Sequence, residues 1–124
     1  MVVDENTDFR DIARAGGTVL DYRAGDFIFR EGDTTTGMYV VLKGSVEMST
    51  KDKVVVTVPE GKPFGMLSLI DHEPRANTAR AKEDCELALL DERTFRIMVE
   101  DTPEFVWYVI NEFASRLRAT NALL

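Results

Sequence analysis

Residues 64–81 read FGMLSLIDHEPRANTARA, and this run decides how the chain is to be read. Phe64-Gly65 closes an extended segment, and Gly65 allows backbone to approach backbone closely. Met66 to Ile70 predict one or two helical turns whose first N–H groups have no internal partner, a natural seat for an anion. Pro74 stiffens the following loop and Arg75 comes directly after it. The planar arginine fork matches phosphate oxygens, and small Ala76 leaves room for a ligand against the main chain. The expectation is a short helical turn wrapped around a phosphate.

Outward from that run, 124 residues predict one domain spanning 1–124, and 44% apolar residues suffice for a core. No stretch of about 18 apolar residues occurs, so no membrane-spanning helix is expected. The start MVVDENTDFRD is acidic and lacks the pattern of a secretory signal. The single cysteine, Cys85, excludes an internal disulfide and fits a reducing cytoplasm. It lies in CELALL and reads as a small core residue. The formal charge of −7, with scattered cations, argues against nucleic-acid binding by this chain alone.

Residues 8–15 (DFRDIARA) predict a short amphipathic helix with Phe9 and Ile12 on one side, stopped by Gly16-Gly17. TVLDYR, DFIFRE, MYVVLKG, SVEMST, KVVVTVP, TARAKE and CELALLD follow as strands, separated by turn residues. Phe27 and Phe29 are expected on one face, as are Val54, Val56 and Val58. Many short strands with closely spaced turns indicate a sandwich or barrel. Helical spacing resumes after Asp91, with Phe95, Ile97 and Met98 as packing residues of ERTFRIMVED. A longer helix begins near Pro103, with Thr102 as N-cap. Its stripe Val106, Val109, Ile110, Phe113, Leu117, widened by Phe105, Trp107 and Tyr108, serves either core packing or pairing with a second subunit.

The run 64–81 closely resembles the phosphate-binding cassette of the cyclic nucleotide-binding domain family, of catabolite activator protein and protein kinase A regulatory subunit type. The pattern F-G-E-[LIM]-[ASG]-L, a spacer, then P-R-x-A-T is matched at Phe64, Gly65, Leu67, Ser68, Leu69, Pro74, Arg75 and Thr78. Earlier strands add Gly25, Asp26, Ile28, Phe29, Glu31, Gly32 and Asp33, then Tyr39-Val40-Val41, Gly44-Ser45-Val46 and Gly61. The similarity runs from about Leu20 to Asn121. It implies a mainly β fold with flanking α: an antiparallel jelly-roll β-barrel over about 18–91, a short N-terminal helix, and C-terminal helices over about 92–122.

The resemblance also implies a site. Arg75 would neutralise the cyclic phosphate, with backbone N–H groups around Leu67-Ser68 and Ala76-Asn77 as further donors and the side chains of Asn77 and Thr78 as additions. Gly65 and Met66 complete the cassette. Met66 stands where the family has the glutamate that binds the ribose 2′-hydroxyl. Losing a hydrogen bond to a charged partner costs roughly 1.5–3 kcal/mol, about ten- to a hundred-and-fifty-fold in affinity. The string SRLRATN resembles the helix stretch that reaches adenine in the catabolite activator branch, which places Thr120 and Asn121 there. Glu47, Met48 and Val58 are strand candidates for the pocket wall.

The sole histidine, His72, lies in the cassette spacer and reads as a surface loop residue. One histidine cannot assemble the metal centre of cupin enzymes, which share the jelly-roll shape, nor is a serine-histidine-acid set in place. No metal or resident cofactor is expected, and the chain reads as a non-enzyme. The leading expectation is a cytoplasmic sensory domain that binds a cyclic nucleotide, cyclic AMP foremost, and relays it to the C-terminal helix of a homodimer. The alternatives are a ligand-free structural or dimerisation domain of the same fold, and a sensor fragment of a transcription regulator without its DNA-reading module.

Overall fold

The computed structural model describes residues 8–51 and 53–121, with the side chains of residues 54, 55, 120 and 121 outside that description. Helix α1 (Phe9–Gly16) is capped by Asp8, whose carboxylate accepts from the Arg10 N–H at 3.0 Å. It ends one residue later than expected, and the Gly17 N–H returns to the Ala13 carbonyl at 2.8 Å. A Cβ on Gly17 would lie 2.7 Å from the Leu89 carbonyl oxygen, so the helix can rest against the sheet only because this position is glycine.

Eight strands follow with three more helices: β1 (Thr18–Tyr22), β2 (Phe27–Phe29), β3 (Met38–Lys43), β4 (Val46–Thr50), β5 (Lys53–Val58), β6 (Pro63–Phe64), α2 (Met66–Asp71), β7 (Thr78–Ala81), β8 (Cys85–Leu90), α3 (Glu92–Asp101) and α4 (Pro103–Asn121). The strands form two four-stranded antiparallel sheets, ordered β1-β8-β3-β6 and β2-β7-β4-β5. Every seam is antiparallel, as in the expected jelly roll. The two-residue strand β6 was not expected as a separate element. It sets the entry to the cassette by pairing Phe64 with Tyr39.

The core has two parts, divided by the first sheet. Between the sheets lie Phe29, Tyr39, Val41, Val46, Met48 and Leu87 among others. Between the first sheet and the helices lie Phe9, Val40, Leu42, Met66, Leu90 and Phe105 among others. Strand β3 therefore buries both faces, which is why MYVVL shows no polar alternation. Strand β8 does the same, and Cys85 takes its place in the inter-sheet cluster.

Two sequence expectations are corrected here, and a third falls partly outside the described residues. Phe27 and Phe29 do not share a face. Phe27 pairs with Arg80 and Phe29 with the adjacent Ala79, so a bulge at Ile28 flips the alternation. Phe29 is buried, while Phe27 is exposed between Arg30 and Arg80, whose guanidinium carbons lie 4.1 and 5.1 Å from its ring centroid. In β5 the register shifts between the pairs Met48–Val56 and Ser49–Val54; Val56 and Val58 pack against the inter-sheet cluster, and the Val54 side chain lies outside the described residues. In α3 the packing residues are Phe95, Met98 and Val99, whereas Ile97 is exposed.

Helix α3 is capped by Asp91, which accepts from the Thr94 N–H at 2.8 Å. Thr102 sits at the junction with α4, its carbonyl accepting from the Phe105 N–H at 2.9 Å. Helix α4 divides its stripe. Phe105 and Val109 are buried and Tyr108 and Phe113 pack against them, while Trp107, Ile110 and Leu117 face outward. The Tyr108 hydroxyl donates to the Gly61 carbonyl at 2.6 Å, and Arg116 Nη2 donates to the Pro63 carbonyl at 2.6 Å. These bonds tie α4 to the turn between β5 and β6, directly upstream of the cassette. No helix among the described residues is long and apolar enough to cross a membrane.

Candidate functional site

The cassette is held at both ends by main chain. Gly65 precedes α2 with φ +79°, a left-handed conformation that costs an L side chain about 1–2 kcal/mol. A Cβ there would also lie 3.0 Å from Arg75 Nη1. At the other end of α2, His72 adopts φ 60° and its N–H caps the Ser68 carbonyl at 3.0 Å. His72 is exposed, its Nε2 3.8 Å from Glu92. Among the described residues no group of three His, Cys, Asp or Glu side chains could hold a metal ion.

The backbone of Arg75 is pinned to the β2–β3 connection. Its N–H donates to the Asp33 carbonyl at 2.8 Å, and its carbonyl accepts from the Gly32 N–H at 2.8 Å. The side chain turns inward and is only 3% exposed. Nη1 donates to the carbonyls of Gly65 at 2.8 Å and Gly37 at 3.1 Å, and the guanidinium lies over the Phe29 ring at 4.1 Å. Nε and Nη2 are buried with no hydrogen-bond partner among the described residues. Burial pushes the guanidinium below arginine's ordinary value, opposed by the charges of Tyr39 and Asp33. Arginine nevertheless keeps its proton in proteins. The result is a fixed positive charge with two idle donors in a desolvated setting, an arrangement that is costly unless an anion completes it.

Beside this charge is a cavity of about 400 Å³. Gly65, Met66, Leu67, Ser68, Arg75, Ala76 and Asn77, seven of the candidate residues, line it. Met48 and Val56 form wall positions from β4 and β5, whereas Glu47 and Val58 are not part of the lining. Thr78 is also outside it; its Oγ1 accepts from the Glu31 N–H at 3.0 Å. The Asn77 amide is turned to the Thr50 hydroxyl, to which its Nδ2 donates. Thr120 and Asn121 belong to the end of α4, but their side chains lie outside the described residues.

Sequence reasoning brought only Thr120 and Asn121 of α4 to the site and missed the helix residues that line the cavity. Phe113, Arg116, Leu117 and Ala119 of α4 all border the cavity. The signal was available in the helical spacing of Phe113, Arg116 and Leu117, one turn apart, but a helix stripe does not say which hollow it covers. Arg116 is held by Glu112 at 3.1 Å and by the Pro63 carbonyl. The hollow is thus lined by residues 65–68 and 75–77 of the cassette on one side and by helix α4 on another.

The fold is an antiparallel jelly roll with an inward-turned arginine beside the cassette hollow. Residues 19–102 match the family model described as cyclic nucleotide-binding domain, and the chain belongs to that family. It is 38% identical over 81 residues to human Rap guanine nucleotide exchange factor 3, covering 64% of this chain and 9% of that protein. It is 44% identical over 72 residues to the cAMP-dependent protein kinase regulatory subunit of Eremothecium gossypii, covering 58% and 16%. The structure superposes on the catabolite activator protein of Thermus thermophilus with a TM-score of 0.81 at 26% identity, over 95% of this chain and 58% of that one. The chain spans less than a fifth of the length of the exchange factor and of the kinase subunit.

Proposed function

We propose that this domain binds a cyclic nucleotide, cyclic AMP foremost, and relays occupancy to helix α4 as a non-enzymatic, cytoplasmic regulatory module acting in a homodimer. One observation carries the reading: the buried Arg75 guanidinium beside the cavity, with Nε and Nη2 unpartnered among the described residues. A cyclic phosphodiester bears one negative charge and two exocyclic oxygens, which suits two idle donors of one fork. Family membership and two relatives, a cAMP-dependent protein kinase regulatory subunit and a cAMP-activated global transcriptional regulator, support the same reading. Position supports relay, since helix α4 lines the site and a ligand acts by favouring one pre-existing arrangement.

The test is isothermal titration with cyclic AMP and cyclic GMP. Binding of either that Arg75→Ala removes supports the reading; silence of both at millimolar concentration ends it. A second reading has its own observation. Met66 is 1% exposed and packs with Val40, Leu42 and Leu69 in the helix-side core, as in a fold kept for structure or dimerisation alone. In that case nucleotide changes neither the melting temperature nor the sedimented mass.

A further inference from the structure

Among the described residues, Phe27 is the only exposed large apolar side chain of the second sheet, at 43%. The bulge at Ile28 puts it there: Phe29 turns into the core, so Phe27 and Arg30 fall on the same outer side. The guanidinium carbons of Arg30 and Arg80 lie over its ring, 4.1 and 5.1 Å from the centroid. Arg80 is the cross-strand neighbour of Phe27, and its Nε donates to the Gly25 carbonyl at 2.8 Å. The Arg30 backbone N–H is held by the Asp33 carboxylate at 2.8 Å. Neither guanidinium is in an ion pair among the described residues, although Glu47 is the cross-strand partner of Arg80 on its other side. Two like charges thus share one exposed ring with no carboxylate at ion-pair distance to offset them.

We infer that Phe27, Arg30 and Arg80 form a docking surface for an acidic segment of a partner protein, whose apolar side chain lies on the Phe27 ring while carboxylates on either side of it take the two forks. None of the three residues lines the cavity, so the inference does not depend on the cyclic-nucleotide reading. Charge complementarity selects the occupant. A guanidinium stacked on an aromatic face keeps its in-plane N–H groups for a carboxylate, which the fork takes bidentately. A short acidic segment places its charge on the two cations and nowhere else. A nucleic-acid strand carries its charge past the patch, over a chain of net charge −7 that repels it. A second copy of the chain brings the same repulsion with it.

The experiment follows the backbone and arginine Nε resonances of the nitrogen-labelled whole chain, with no cyclic nucleotide added. The probe is the peptide Glu-Asp-Leu-Asp-Glu, blocked at both ends, with Gln-Asn-Leu-Asn-Gln as its uncharged counterpart. The acidic peptide is expected to shift the Arg30 and Arg80 Nε–H signals and the Phe27 amide, high salt to suppress those shifts, and the uncharged peptide to leave the signals in place. Arg30→Gln combined with Arg80→Gln is expected to weaken peptide binding by about two- to thirtyfold, the span of two exposed ion pairs. Absence of shifts at these three residues at millimolar peptide overturns the inference, as does unchanged affinity in the double variant. Equal shifts with the uncharged peptide also overturn it. Tighter binding of oligothymidylate than of the peptide hands the patch to single-stranded nucleic acid, and shifts that grow with protein concentration alone hand it to a second copy; either result overturns the acidic segment. The mapping uses the native chain, so a loss of stability in the variants does not blunt it, and its failure leaves the nucleotide reading standing.

Discussion

The Arg75 guanidinium carbon lies 4.1 Å from the centroid of the Phe29 ring, and both residues are buried. The aromatic face holds the fork flat, with Nη1 turned to the Gly65 and Gly37 carbonyls and Nε and Nη2 left unpartnered. Phe29 is thus a positioning residue for the charge. Phe29→Leu keeps an apolar filler but removes the cation–π attraction, worth about 0.5–2 kcal/mol. Nucleotide affinity is expected to fall by about two- to thirtyfold with retained cooperative melting. Unchanged affinity in a stably folded Phe29→Leu protein would show that the two carbonyls alone position Arg75.

Glycine at 65 and glycine at 44 separate site from scaffold. Both have positive φ, +79° and +85°. A Cβ at 65 would press on Arg75 Nη1 at 3.0 Å, whereas one at 44 would meet the Asp84 carbonyl oxygen at 2.5 Å, among strand-end residues that are not part of the cavity lining. Gly44→Ala is expected to lower the melting temperature with ligand affinity intact, because only the folded frame is strained. Gly65→Ala is expected to lower both, about 1–2 kcal/mol of stability from backbone strain and a further loss of affinity from the displaced guanidinium. Thermal melts read beside titrations distinguish the two.

Alkali should loosen the inter-sheet core. Burial pushes the Cys85 thiol up from 9.0 to about 11, helped by Glu83 and Asp84, and burial likewise pushes Tyr22 up from 10.0 to about 12, helped by Tyr39. Each folded value lies above the unfolded one, so the native state holds the proton longer. The stabilisation is whole below pH 9 and is lost as pH climbs from about 9 to 11 for Cys85 and from about 10 to 12 for Tyr22. Melting temperature is therefore expected to decline above pH 9, and Cys85→Ala to flatten the first part of that decline. A thiol reagent at neutral pH should modify Cys85 only as fast as the fold opens.

How much of this was legible in the chain depends on the range of the interaction. The cassette is local: Gly65, α2, Pro74 and Arg75 follow one another, so their hollow could be read from spacing. So could the strands, since turn glycines punctuate them. The bulge at Ile28 could not, because DFIFRE carries the same alternation with or without an extra residue in the pairing. It decides which phenylalanine meets Arg75. The Gly37 carbonyl beneath Arg75 is equally silent, since every residue has a carbonyl and only the fold selects one. The α4 stripe was visible but its division was not. Phe105 and Val109 are buried in the core and Ile97 in α3 is exposed, a division that depends on how each helix sits against the sheet and not on its own spacing.

That division supplies the last prediction. Trp107, Ile110, Ala114 and Leu117 recur at spacings of three, four and three residues along α4, and all four are exposed. Trp107 is 63% and Leu117 61% exposed. A 3.5-residue repeat on one helix face pairs with a copy of itself across a two-fold axis. Leu117 belongs both to this stripe and to the cavity lining, so a seam formed by the stripe would share a side chain with the cavity. The chain is therefore expected to dimerise through α4, with cyclic AMP shifting the dimer constant by a factor within about 5–150, the usual span of coupling between sites. Trp107 is the only tryptophan and reports directly. Its emission should move to shorter wavelength as protein concentration rises, and Ile110→Glu should hold it at the monomer value while sedimentation gives a single chain. Concentration-independent emission with a monomeric mass would remove the seam. A dimer whose constant ignores nucleotide would keep the seam and cut the link to Leu117.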